Sequence, residues 1–148
     1  MKKIALLLTI FGLLLFTVIA VNAQSTLRNM TNALSTSLLT DTVTNGGTAT
    51  INAHNPGMKQ STTILVTLTE ISGTTAGTLT LQGSMDGTNY VAIMQPHLQT
   101  VIPTATATDV ATQRFHWVLF NNPFNYYRVS WTGTGTMSAT IAGKILSR

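Results

Sequence analysis

The sequence predicts an all-β protein: one antiparallel β-sandwich, jelly-roll-like, behind an N-terminal signal segment. Three observations carry this reading. Short runs of β-branched and aromatic residues recur at close spacing, and Gly, Asn and Pro punctuate them. Beyond residue 23 the chain also holds 26 threonines, a residue that suits the solvated face of a sheet. At 148 residues the chain has room for one domain with a sizeable core and not for two. The absence of cysteine excludes a disulfide scaffold, a thiolate zinc site, a cysteine nucleophile and a lipid-modified N-terminal cysteine.

Residues 1–23 read as a secretory signal peptide. Lys2 and Lys3 form the positive start, Ile4 to Val21 the apolar run, and Val21 and Ala23 the small residues before a cut after Ala23. The alternative is an uncleaved anchor, because the run nearly spans a bilayer; the membrane would then be reached through the leader alone. Thr9, Gly12 and Thr17 dilute the run and favour cleavage. In either case the expected location is outside the cytoplasm, secreted or at the cell surface. Without the leader, six basic residues face four acidic ones, and Arg28, Lys59, Arg114, Arg128, Lys144 and Arg148 are scattered along the chain. Nucleic-acid binding needs a basic stripe that neutralises many phosphates together, so it is not expected.

Residues 24–47, rich in Ser, Thr and Asn, read as an extended N-terminal arm or first edge strand. Leu27, Met30, Leu34 and Leu38 have helical spacing, but the Ser and Thr content opposes a helix, and Asn45-Gly46-Gly47 closes the segment as a turn. Such an arm docks on a neighbouring subunit or frays. The sandwich is expected over 48–148. Thr48–Ala53 is its first strand, ended by His54-Asn55-Pro56-Gly57. Thr62–Ile71 alternates, with Ile64, Val66 and Leu68 on one face, and Ser72–Gly77 breaks it. Thr78–Ser84 turns through Asp86-Gly87-Thr88-Asn89 into Tyr90–Met94 as a hairpin. Gln95–Thr112, with Pro96, Pro103 and a Thr-Ala repeat, reads as a long loop. Arg114–Phe120, Tyr126–Thr132 and an alternating final strand from Met137 to Ile145 complete the pattern.

The stretch Gly77-Thr78-Leu79-Thr80-Leu81-Gln82-Gly83-Ser84-Met85-Asp86-Gly87-Thr88-Asn89-Tyr90-Val91, followed by Tyr127-Arg128-Val129-Ser130-Trp131-Thr132-Gly133-Thr134-Gly135-Thr136, resembles a group of small β-sandwich proteins. These occur among bacteriophage virion and head-fibre proteins and in related bacterial surface modules. The resemblance covers about residues 60–148. It implies a structural sandwich and carries over no catalytic residue.

The chemistry-bearing residues are sparse. Asp41, Glu70, Asp86 and Asp109 are the acids beyond the leader, and paired-carboxylate hydrolysis needs two of them in one cleft. Asp86 is expected instead to cap its own turn. His54, His97 and His116 lack short-spaced partners, so no zinc site is expected, and Asp86 with Asn89 supplies too few oxygens for calcium. No Gly-x-Ser-x-Gly elbow, His-Glu-x-x-His helix or phosphate-cradling loop is present. The expectation is therefore no catalysis, no cofactor and no metal.

Aromatic density is the remaining signal: Phe115, Trp117, Phe120, Phe124, Tyr126, Tyr127 and Trp131 fall within residues 115–131. One alternating set must fill the core, and the other set is free to meet a partner. The leading expectation is a secreted non-enzymatic β-sandwich working in adhesion or assembly of a surface or extracellular structure, by self-association or with another surface protein. A carbohydrate-binding module is the alternative, with Trp117, Tyr126 or Trp131 stacking on a glycan and Asp86, Asn89 or Asn122 bonding its hydroxyls. A phage virion-type structural protein, its leader acting as an inner-membrane anchor, is a third reading.

Overall fold

Period-two alternation buries one side of each strand, so the sheets follow from where the apolar positions fall. The computed structural model describes residues 25–32, 39–57, 59–95, 100–101 and 104–148; the leader, Leu34, Leu38, His97 and part of the expected 95–112 loop lie outside these. In chain order the described strands are β1 (Thr26–Asn29), β2 (Thr31–Asn32), β3 (Thr40–Thr44), β4 (Thr48–His54), β5 (Lys59–Gly73), β6 (Gly77–Ser84), β7 (Val91–Ala92), β8 (Met94–Gln95), β9 (Thr100–Val101), β10 (Thr104–Ala107), β11 (Thr112–Asn122), β12 (Tyr126–Gly133) and β13 (Met137–Ser147).

Two antiparallel sheets result. The first runs β1-β13-β5-β11, with β3 beside β1 on the same flank of β13. The second runs β10-β6-β12-β4-β2, with β7 also on β6, and β8 and β9 form a separate pair. Successive long strands alternate between the sheets: β4, β6 and β12 lie in the second, β5, β11 and β13 in the first. The core lies between them. Ile64, Val66 and Leu68 of β5, Trp117 and Leu119 of β11, and Ala139, Ile141 and Ile145 of β13 meet Ile51, Leu79, Leu81, Tyr127, Val129 and Trp131 from the opposite sheet.

Of the two readings of 24–47, its described residues follow the edge-strand one: β1 and β3 line β13, β2 pairs with β4, and Met30 and Val43 are buried in the core. Met30 sits where the chain passes from one sheet to the other, its N–H donating to the Gly143 carbonyl at 2.9 Å. Two other expectations change. The Thr-Ala repeat is not all loop: Thr104–Ala107 pairs with β6, and period-two alternation hides Ala107 while exposing Thr106. Finally, the strand expected over Tyr90–Met94 divides: Val91–Ala92 pairs with β6, buried Ile93 donates its N–H to the Leu81 carbonyl at 3.4 Å, and Met94 begins β8.

If the N-terminal strands belong to the sandwich, Met30→Ala should lower the unfolding free energy by about 2–4 kcal/mol, as for other fully buried large-to-small changes. Urea denaturation of the two proteins measures this, and an unchanged midpoint would mean that β1 and β2 are dispensable.

Candidate functional site

The acids come first, because catalysis or metal binding would begin with them. Asp86 is exposed and fully engaged. Its carboxylate accepts the backbone N–H groups of Thr88 and Asn89 at 2.8 Å, the Asn89 amide at 2.7 Å and the Ser84 hydroxyl at 2.8 Å. The Ser84 oxygen in turn accepts the Gly87 N–H at 3.0 Å. These bonds, with the Asn89 and Thr88 backbone foremost, hold the Asp86 carboxyl well below the usual aspartate range. Asp41 accepts the N–H groups of Thr50 at 2.7 Å and Thr42 at 2.9 Å, and Glu70 accepts the Thr75 hydroxyl at 3.2 Å. Each of these three carboxylates clamps its own backbone or a nearby hydroxyl. Among the described residues no group of three His, Asp or Glu side chains is placed to hold a metal ion.

The aromatic candidates separate by burial. Trp131 is fully buried and Trp117 is 8% exposed, so neither is available to stack on a glycan; both belong to the inward-facing sets of their strands. Asn122 is also spoken for: its side-chain oxygen accepts the Phe124 N–H at 3.0 Å and the Tyr127 hydroxyl at 3.4 Å, securing the β11–β12 corner. Tyr126, Asp86 and Asn89 do come together at one end of the second sheet. There Tyr126 pairs with His54 in register, and the two rings stack with centroids 4.4 Å apart. The Gly87 backbone packs against Tyr126 so closely that a Cβ would stand 3.1 Å from the ring.

Three neighbours not singled out in the sequence complete this end. The Arg128 guanidinium lies 3.6 Å from the Tyr90 ring centroid, and its Nε donates to the Asn52 side-chain oxygen at 3.2 Å. The alternation of β12 was the available signal, since it puts Arg128 on the same outward face as Tyr126. Burial raises the Tyr90 phenol above its ordinary pKa. Tyr126 and Tyr90 thus spend ring surface on His54, Gly87 and Arg128, which a sugar would otherwise need.

The first sheet presents a different surface. β11 pairs only with β5 among the described residues, so an eleven-residue strand stands at an open edge. Its outward side chains are Arg114, His116, Val118 and Phe120, the last 66% exposed. Strand register continues this face inward. Val118, Thr63, Leu146 and Leu27 form one cross-strand row, and His116, Leu65, Lys144 and Asn29 form the next. Leu27, Leu65, Val118, Phe120 and Leu146 are all exposed there. Beside them a groove of about 460 Å³ lies between Arg114 and Lys144, floored by Leu65 and Thr67.

As pH falls below the ordinary aspartate value of about 3.9, the unfolded chain takes up a proton that folded Asp86 resists. The stabilisation from Asp86 is therefore complete near neutrality and is lost toward strong acid. Asp86→Ala should melt lower than the parent at pH 7 but lose less stability between pH 5 and about 2.5. Parallel acid slopes for the two proteins, measured by thermal melts, would contradict the clamp.

No protein-family model and no curated protein matches the chain. Solved structures with a similar fold include the enzymatically active domain of bacteriophage CBA120 tailspike protein 4, at TM-score 0.50 and 9% identity over 85% of this chain and 20% of that one. The PBSX exported protein XepA is similar at TM-score 0.50 and 10% identity, over 82% of this chain and 36% of that one. The SPBc2 prophage-derived protein YomS is similar at TM-score 0.48 and 8% identity, over 85% and 96%. This chain spans about a fifth and about a third of the first two. At such identities the likeness is one of fold, and a bacteriophage tailspike domain and the PBSX exported protein XepA are among the structures that share this β-sandwich.

Proposed function

We propose that the chain is a non-enzymatic β-sandwich acting outside the cytoplasm in adhesion or assembly, through the open edge of its first sheet. The observation that carries this reading is β11, eleven residues long with one bonded neighbour among the described residues. Along such an edge every second residue offers an N–H and a C=O to another strand. The usual guards are thin: no proline or lysine lies between Thr112 and Asn122, and Val118 and Phe120 are exposed. Pairing with another strand would satisfy the backbone and cover those side chains together. Saccharide recognition at the Tyr126–Arg128 end of the second sheet is less well supported, because the aromatic surfaces and acid there are already engaged.

Light scattering of the exported protein over a concentration series, with negative-stain images of the same samples, tests this. The parent should form a discrete oligomer or filament. Val118→Lys places a charge on the edge strand and should return a monomer with an unchanged melting temperature. Leu146→Lys puts the same charge on the same face but away from the edge, and should still assemble. A parent that stays monomeric throughout would sink self-assembly and direct attention to glycan screening.

A further inference from the structure

We infer that the outer face of the first sheet docks on an anionic lipid bilayer. The face combines two properties that are seldom adjacent by chance. One is an exposed apolar strip, Leu27, Leu146, Val118 and Phe120, continued by Leu65. The other is a set of cations at both ends of that strip. Arg114, opposite Thr67, and Lys144, opposite Leu65, stand toward one end; Lys59, opposite Asn122, and Arg148, exposed beside Ser61 and Leu146, stand toward the other. No side chain of these four has an ion-pair partner among the described residues.

The described acids fall elsewhere. Asp41 and Glu70 lie opposite the inward-facing Ile141 and Ala139, Asp86 is in the loop of the second sheet, and Asp109 precedes β11. The face is therefore apolar and positive with no carboxylate interleaved. Charge complementarity selects the occupant. A second copy meeting this face with its own would set cation against cation, and a neutral saccharide finds aliphatic side chains where it needs hydrogen-bond donors. A bilayer with anionic headgroups offers phosphates to Arg114, Lys144 and Lys59 and an apolar boundary to the leucines and Phe120. The groove between Arg114 and Lys144, lined also by Leu39, Leu65 and Asn29, sets two cations beside apolar surface.

This inference does not depend on edge pairing, and the test keeps the two apart. The exported protein is co-sedimented with vesicles of phosphatidylcholine alone and of phosphatidylcholine with phosphatidylglycerol. Lys2 and Lys3 of a retained leader would favour anionic vesicles too, so the comparison of parent with Lys144→Glu, which share the leader, reports the folded face. Binding should be selective for the anionic vesicles and weaken as salt rises. Lys144→Glu, on β13 and away from β11, should weaken it about tenfold with no change in solution mass. Leu146→Ser should weaken it while preserving the salt dependence. No preference for anionic vesicles, or indifference to Lys144→Glu, would overturn the proposal. So would equal binding to a soluble polyanion such as dextran sulfate with no effect of Leu146→Ser, which would assign the face to polyanions instead.

Discussion

Backbone hydrogen bonding on both flanks of β13 decides where this molecule is closed and where it is open. One flank is occupied from Met137 to Ser147 by β5, and the other is shared end to end by β3 and β1. Two short strands from the start of the domain therefore seal that side of the first sheet. Nothing comparable covers β11 among the described residues. A strand edge left unpaired is a template for another chain, so the asymmetry of this sheet leaves β11 as its long open edge among the described residues.

The second constraint is space between the sheets. Four glycines on the strands leave room for four large side chains: Gly77 for the Trp131 indole, Gly83 for the Phe124 ring, Gly133 for Met137 and Gly143 for Met30. A Cβ at Gly83 would lie 2.3 Å from the Phe124 ring, and one at Gly77 2.9 Å from the Trp131 nitrogen. Gly77 also has φ +135°, a conformation open in practice to glycine alone. Where a strand lacks a side chain, a large neighbour fills the gap at native density, which is how interiors avoid voids. The tryptophans are thus consumed by packing. Both join a core otherwise built largely of isoleucine, leucine, valine and alanine.

Much of this was legible in the sequence. The alternations of Ile64-Val66-Leu68 and Leu79-Leu81 gave inward faces directly, because burial has the same period as the strand, whereas Tyr127-Val129-Trp131 gave a shared face without its direction. Asp86 as a turn cap was readable from its position before Gly-Thr-Asn. What escaped was non-local. Whether residues 26–29 and 40–44 join the sandwich depends on β13, about a hundred residues later, and alternation carries no information about partners. The same limit applied to the site: Trp117 and Tyr126 are equally plausible as ligand residues until strand register sends one inward and the other outward.

The open edge and the apolar, cationic face are two properties of one strand. The β11 backbone forms the edge, and its outward residues Arg114, His116, Val118 and Phe120 belong to the face. A second copy pairing antiparallel along β11 would be related by a two-fold axis perpendicular to the sheet, since only that axis reverses the strand while keeping it in plane. Both outer faces would then look the same way. Edge pairing would accordingly double both the area and the number of cations presented to a surface. Binding of the second face would become intramolecular and weak single contacts would become avid, without any new contact. The clamping of Asp41, Glu70 and Asp86 onto their own chain makes this arrangement possible, because it leaves that face free of the carboxylates that would neutralise it.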